Sequence, residues 1–121
     1  MVKVRSDVLP GSPMKPAVFY ILLALAEHDS HGYAIMQAVR DRSSGTVPLR
    51  TGSFYRHLSR LIDDGLVVES QIRPADDDPR RGAYYRITAR GQRALAAERR
   101  RLAALVAAID SLQPASRRGP A

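Results

Sequence analysis

Thr51-Gly52-Ser53-Phe54-Tyr55-Arg56-His57-Leu58-Ser59-Arg60-Leu61 sorts into two faces when wound at about 100° per residue. Phe54, Leu58, Leu61 and the following Ile62 fall on one of them. Ser53, Arg56 and Arg60 fall opposite, with His57 flanking them. The pattern predicts a short helix with an apolar root and a cationic outer stripe. It should start around Thr51–Ser53 and end at Gly65, a residue suited to a helix C-terminus. Tyr55 lies at the edge of the apolar face near Ile62, a position from which it can be core on one side and touch a polar partner on the other.

Upstream, a first helix is expected from Lys15–Pro16, where proline is tolerated in the first turn. Val18, Ile21, Leu22 and Leu25 follow the i, i+3, i+4, i+7 rule. Phe19, Tyr20 and Leu23 make the other side apolar as well, so the helix must be covered twice: once by its own domain and once by another subunit. A second helix should follow Ser30, capped by its hydroxyl, with Ile35, Met36 and Val39 inward, and stop at Ser43-Ser44-Gly45. Downstream, Leu66, Val68, Ser70 and Ile72 alternate with Val67, Glu69 and Gln71, and Tyr85 and Ile87 alternate with Tyr84 and Arg86. These read as two strands joined by the charged loop from Pro74 to Gly82. Thr88 should cap a final helix reaching about Leu112. Leu95, Leu102 and Ile109 recur every seven residues there, as do Leu105 and Leu112, with Glu98 interrupting the second series. Alanines 103, 104, 107 and 108 permit close approach, so this is a short coiled-coil-like seam.

The chain has 121 residues, 45% hydrophobic and 26% charged, which fits one folded domain and rules out wholesale disorder. Without cysteine, disulfide scaffolds, thiolate zinc sites and cysteine nucleophiles are all excluded. The longest apolar run, Ala17 to Ala26, is about half of the roughly 20 residues a membrane span needs. Its flanks do not suit a signal peptide either, so a cytoplasmic protein is expected. The net charge of +7 suggests a polyanionic partner, nucleic acid above all. Seventeen of the nineteen cations are Arg, and Ala is equally abundant, the pairing a GC-rich genome produces; the placement of the arginines therefore carries more than their number. His28 and His31 flank Asp29 at a helix-to-helix turn without forming an evident metal-ligand set, and no histidine sits in a nucleophile motif, so no metal, cofactor or enzymatic activity is expected.

Three helices followed by a hairpin with a basic loop form the order of a winged helix-turn-helix. His31-Gly32-Tyr33-Ala34-Ile35, then Thr51 to Leu61, then Asp64-Gly65-Leu66-Val67, then Pro79-Arg80-Arg81-Gly82-Ala83-Tyr84-Tyr85-Arg86-Ile87-Thr88 and Gly91 resemble, in order and spacing, the PadR family of bacterial transcriptional regulators. The resemblance covers about residues 15–95 and is to the short subfamily, in which one helix after the wing pairs two subunits. Where family members commonly have proline-glycine-threonine-leucine-tyrosine, this chain has Thr51-Gly52-Ser53-Phe54-Tyr55. Arg50 and Arg56 replace residues that are usually small, polar or proline, which points to an unusual DNA sequence preference. Asp76, Asp77 and Asp78 stand in the wing, where a phosphate contact would want no acid.

The resulting expectation is a mainly α chain with a small β-hairpin. Residues 1–14 form a flexible arm, 15–88 the winged helix-turn-helix, 89–113 a dimerisation helix and 114–121 a flexible tail. It is expected to be a DNA-binding transcriptional repressor, homodimeric on an inverted-repeat operator; the resemblance implies small-molecule effectors for some family members, and the sequence names none for this chain. A basic helix face is often merely solvated, but a major groove admits one helix and Arg pairs bidentately with guanine. Arg56 is therefore expected on a base and Arg60 on phosphate, with Thr51, Ser53, Tyr55 and His57 beside them. Tyr33 could be simple packing, while the resemblance implies its hydroxyl at a phosphate. Arg80 and Arg81 could be a solvated turn, but wings commonly lie against backbone or minor groove, and phosphate contact is expected of them. Val18, Phe19, Leu22, Leu95, Leu102, Leu105, Ile109 and Leu112 are expected at the dimer interface. The competing readings are a winged-helix module that binds protein and never DNA, and a MarR-like regulator.

Overall fold

The computed structural model describes residues 12–75 and 77–112. The terminal tail from 114, most of the expected N-terminal arm, and Asp76 lie outside them. Helix α1 runs over Pro16–Glu27, strand β1 over Ser30–His31, α2 over Gly32–Arg42, α3 over Thr51–Asp63, β2 over Val67–Ser70, β3 over Tyr84–Ile87 and α4 over Ala89–Asp110, with a short 3-10 turn at Pro79–Arg81. β3 is the middle strand of a three-stranded antiparallel sheet ordered β1-β3-β2. Val67 faces Ile87 and Ser70 faces Tyr84 on one side, while His31 faces Tyr84 on the other. This is a winged helix-turn-helix followed by a long C-terminal helix.

One core joins the elements. α1 contributes Val18, Ile21, Leu22 and Leu25, α2 Ile35 and Val39, α3 Phe54, Leu58 and Leu61, and the sheet Leu66, Val67 and Ile87. α3 ends as the glycine predicts. Gly65 takes φ +78°, its N–H reaches the Ile62 carbonyl at 3.0 Å, and Leu66 N–H reaches Leu61 at 2.9 Å. These two bonds satisfy carbonyls that the helix end would otherwise leave unpaired. Thr88 caps α4 by accepting from Gly91 N–H at 3.0 Å, and its own hydroxyl donates to the Gly65 carbonyl at 2.7 Å. One side chain thereby ties the end of α3 to the start of α4. Gly91 lies so close to the Leu66 carbonyl that a Cβ there would collide with backbone oxygen.

Several expectations need correction. Ser30 does not cap α2: it is buried in β1 with its hydroxyl bonded to His28, and His31 is the cap, its Nδ1 accepting from Ala34 N–H at 3.4 Å. The extended backbone at 30–31 pairs with β3 instead. Strand alternation also fails: burial falls on the first and fourth residues of β2 and β3, as the strong twist of a short ribbon favours. Ile62, expected with the apolar face of α3, is exposed, as is Ile72 beyond the end of β2. Met14, expected in the arm, is buried in the core. Val18 and Leu22, expected between subunits, are closed inside the chain's own core, because α1 turns that side onto α2 and α3.

Candidate nucleic-acid interface

The N-termini of α2 and α3 and the wing between β2 and β3 converge on an open groove of about 670 Å³. Tyr33, Thr51, Tyr55, Arg80 and Arg81 line it, with His31 and Gln37. Five of the nine nucleic-acid residues expected from sequence thus meet in one place. Arg56 and Arg60 project from the exposed face of α3 beside it, whereas Ser53 and His57 are half-buried. The Ser53 hydroxyl donates to the Arg50 carbonyl at 3.1 Å, so it serves the first turn of α3.

Tyr55 is part core and part surface. Its ring meets Phe54 edge-on at 4.8 Å while its side chain stays well exposed. Its hydroxyl lies over Gly32, where any Cβ would strike it, so the glycine that opens α2 lets α3 approach. Tyr33 is exposed one helical step away, and its hydroxyl oxygen accepts from Gln37 Nε2 at 3.0 Å. Gln37 in turn accepts from Arg40 Nη1 at 3.0 Å. With its lone pair engaged by Gln37, the Tyr33 O–H is left to donate outward. The sequence reading missed Gln37, although its i+4 spacing from Tyr33 on one helix carries the signal.

The wing is built around an acid. The Asp77 side chain is only 5% exposed; it accepts from the Tyr84 hydroxyl at 2.6 Å and pairs with both Arg73 and Arg81. Burial pushes its carboxyl up, but the bonds from Tyr84 and Arg73, with the charges of Arg73 and Arg81, hold it below the usual carboxylate range. Arg73 also stacks over the Tyr84 ring at 5.0 Å, and His31 meets the same ring edge-on at 5.3 Å. The wing is thereby fixed to the start of α2. Burial first, then the charge of Arg81, lowers the His31 pKa, which favours the neutral imidazole that the Ala34 cap requires. No sequence signal marks Asp77 for this, since its partners are set by the fold of the loop.

Asp78 accepts from Arg80 N–H at 3.0 Å and holds the Arg80 guanidinium at 2.9–3.2 Å. Among the described residues no group of three or more His, Asp or Glu side chains is arranged to hold a metal ion, and no helix is long and apolar enough to cross a membrane.

A second groove, of about 420 Å³, lies between α1 and α4. Phe19, Leu23, Leu95 and Leu102 line it almost without polar surface. Three of these were expected at a dimer interface.

The chain is 30% identical over 89 residues to an uncharacterised protein X of Lysinibacillus sphaericus, covering 74% of this chain and 76% of that protein. In fold it is similar to a PadR family transcription regulator from Clostridium difficile, with a TM-score of 0.64 at 19% identity over 79% of this chain and 96% of that one. It is also similar to Bacillus subtilis PadR in complex with operator DNA, with a TM-score of 0.54 at 19% identity over 68% of this chain and 46% of that one. The sequence profile of the transcriptional regulator PadR-like family matches residues 21–97, from the middle of α1 into α4. A match over more than half of the chain, on a winged helix with a C-terminal helix, places it in the PadR-like family of transcriptional regulators.

Proposed function

We propose that this regulator binds double-stranded DNA as a homodimer and represses transcription from an inverted-repeat operator in the cytoplasm. The observation that carries the reading is the convergence of Tyr33, Thr51, Tyr55, Arg80 and Arg81 on one groove beside the exposed Arg56 and Arg60. A helix face bearing two exposed arginines suits a major groove, with Arg56 on a guanine edge and Arg60 on phosphate. The flanking hydroxyls and wing cations suit the adjacent backbone, where contacts fix register without reading sequence. Two such units on a two-fold axis would set two α3 helices about one DNA turn apart, or a multiple of it. The operator complex of Bacillus subtilis PadR supports the reading by analogy of fold. A small-molecule effector would find an apolar site in the groove between α1 and α4, enclosed within the proposed dimer interface.

Selection of genomic fragments by the full chain, followed by titration in a salt series, tests this. Affinity should fall by orders of magnitude as salt rises, because phosphate contacts release counterions. The selected fragments should share an inverted repeat. Binding to no duplex at low salt would leave the chain a protein-interaction module.

A further inference from the structure

We propose that Asp78 is an intramolecular competitor for the DNA backbone: it neutralises Arg80 in the free protein and sets how tightly the wing binds. The proposal rests on the DNA-binding reading above and concerns how strongly the wing contributes to it. The two described acids of the loop have different surroundings and different work. Asp77 is enclosed by Tyr84, Arg73 and Arg81, and without it the wing has no centre. Asp78 is open to solvent at 36% side-chain exposure, and Arg80 at 90%. Its Oδ1 accepts both the Arg80 backbone N–H and Nε, while Oδ2 accepts Nε and Nη2.

Arg80 lines the groove shared by Tyr33, Tyr55 and Arg81, yet its Nε–Nη2 edge already faces a carboxylate. A phosphate must displace that carboxylate to take the Nε–Nη2 edge, or else bind on the Nη1 side a guanidinium whose charge Asp78 already offsets. The exchange swaps one exposed charge pair for another and gains little. Few counterions are released by a cation that was already compensated, so the contact adds little to the salt dependence. The acid in the wing, which looks out of place on a DNA-binding loop, therefore acts as an attenuator of it.

Asp78→Asn tests this while preserving the turn, because the Asn side-chain oxygen can still accept from Arg80 N–H. The probe is a labelled mixed-sequence duplex, titrated with the full-length protein across a salt series. D78N should bind about two- to fivefold more tightly at low salt, the range expected for releasing one exposed ion pair. Its log–log salt slope should steepen by about one phosphate contact, roughly 0.9. Asp41→Asn removes the same charge near the far end of α2, about 13 Å along the helix from its start at Gly32, at a helix C-terminus where an acid is unfavourable; it should give a smaller gain and no change of slope. In an Arg80→Ala background, D78N should give no gain.

Equal affinity and slope for D78N and wild type would overturn the proposal. So would an equal gain from D41N, which would make the effect one of net charge, or weaker binding by a D78N protein that melts like wild type. If neither wild type nor D78N binds duplex at any salt, the DNA-binding reading itself fails, a distinct outcome.

Discussion

Glu98 is buried in α4 and accepts three hydrogen bonds: from Met14 N–H at 3.4 Å, and from Arg101 at 2.9 and 2.6 Å. In the sequence it only interrupts a heptad, and nothing marks a partner 84 residues away. Its burial also explains why Met14 is held in the core. Glu98→Ala would strand the Met14 N–H and the Arg101 guanidinium, and should cost about 1–3 kcal/mol in a denaturant melt. The bond from Arg101 first, then its charge, holds the Glu98 carboxyl below the usual range against the effect of burial. A carboxyl depressed in the folded state contributes stability above its unfolded pKa, about 4.5 here, and loses it as pH falls through the lower folded value. Melts from pH 7 to pH 3 should therefore show an acid loss in wild type that is reduced in Glu98→Gln; identical pH profiles would contradict this. Gly91→Ala is the steric counterpart. The added methyl meets the Leu66 carbonyl, which belongs to backbone and cannot rotate away. It should destabilise by roughly 1–3 kcal/mol despite alanine's better helix propensity.

Helix α3 was legible from sequence because everything that defines it is local: its apolar period, its cationic stripe and the glycine that ends it. β1 was not, since two residues have no periodicity and the strand exists only by pairing with β3. The wing was half legible. Its arginines stood out, but the fold decides which acid each one meets. That difference separates the effects expected of two substitutions. Arg56 is exposed on α3, so Arg56→Ala should relax sequence preference and cost roughly 1–3 kcal/mol on the selected site, with mixed-sequence binding little changed. Arg81 pairs with Asp77 at 3.5 Å at the base of the wing. Arg81→Ala should weaken specific and mixed-sequence binding alike. Competition titrations with selected and scrambled duplexes decide the matter, and equal losses on both duplexes from both variants would remove Arg56 from base reading.

α4 is 22 residues long, about 33 Å at 1.5 Å per residue, and its own domain covers only the first part. Gly91, Leu95 and Glu98 face inward, whereas Leu102, Leu105, Val106, Ile109 and Leu112 grow steadily more exposed, from 37% to 66%. Such a row is too apolar to leave in water, and it continues directly from the groove lined by Phe19, Leu23, Leu95 and Leu102. The heptad spacing indicated the row from sequence alone, but not that Val106 belongs to it or that Val18 and Leu22 do not. A second copy, its α4 laid along this helix, would cover the row and the groove together. Leu105 lies outside the protomer's core, so Leu105→Glu should leave each protomer folded while placing a charge against the partner's leucines. Wild type should sediment as two chains at micromolar concentration, and L105E as one, with helical circular dichroism retained. L105E should also bind the selected inverted repeat no more tightly than a single half-site, since the two α3 helices would no longer be held one turn apart. Wild type sedimenting as a single chain would reject the interface, and the two-fold operator that follows from it.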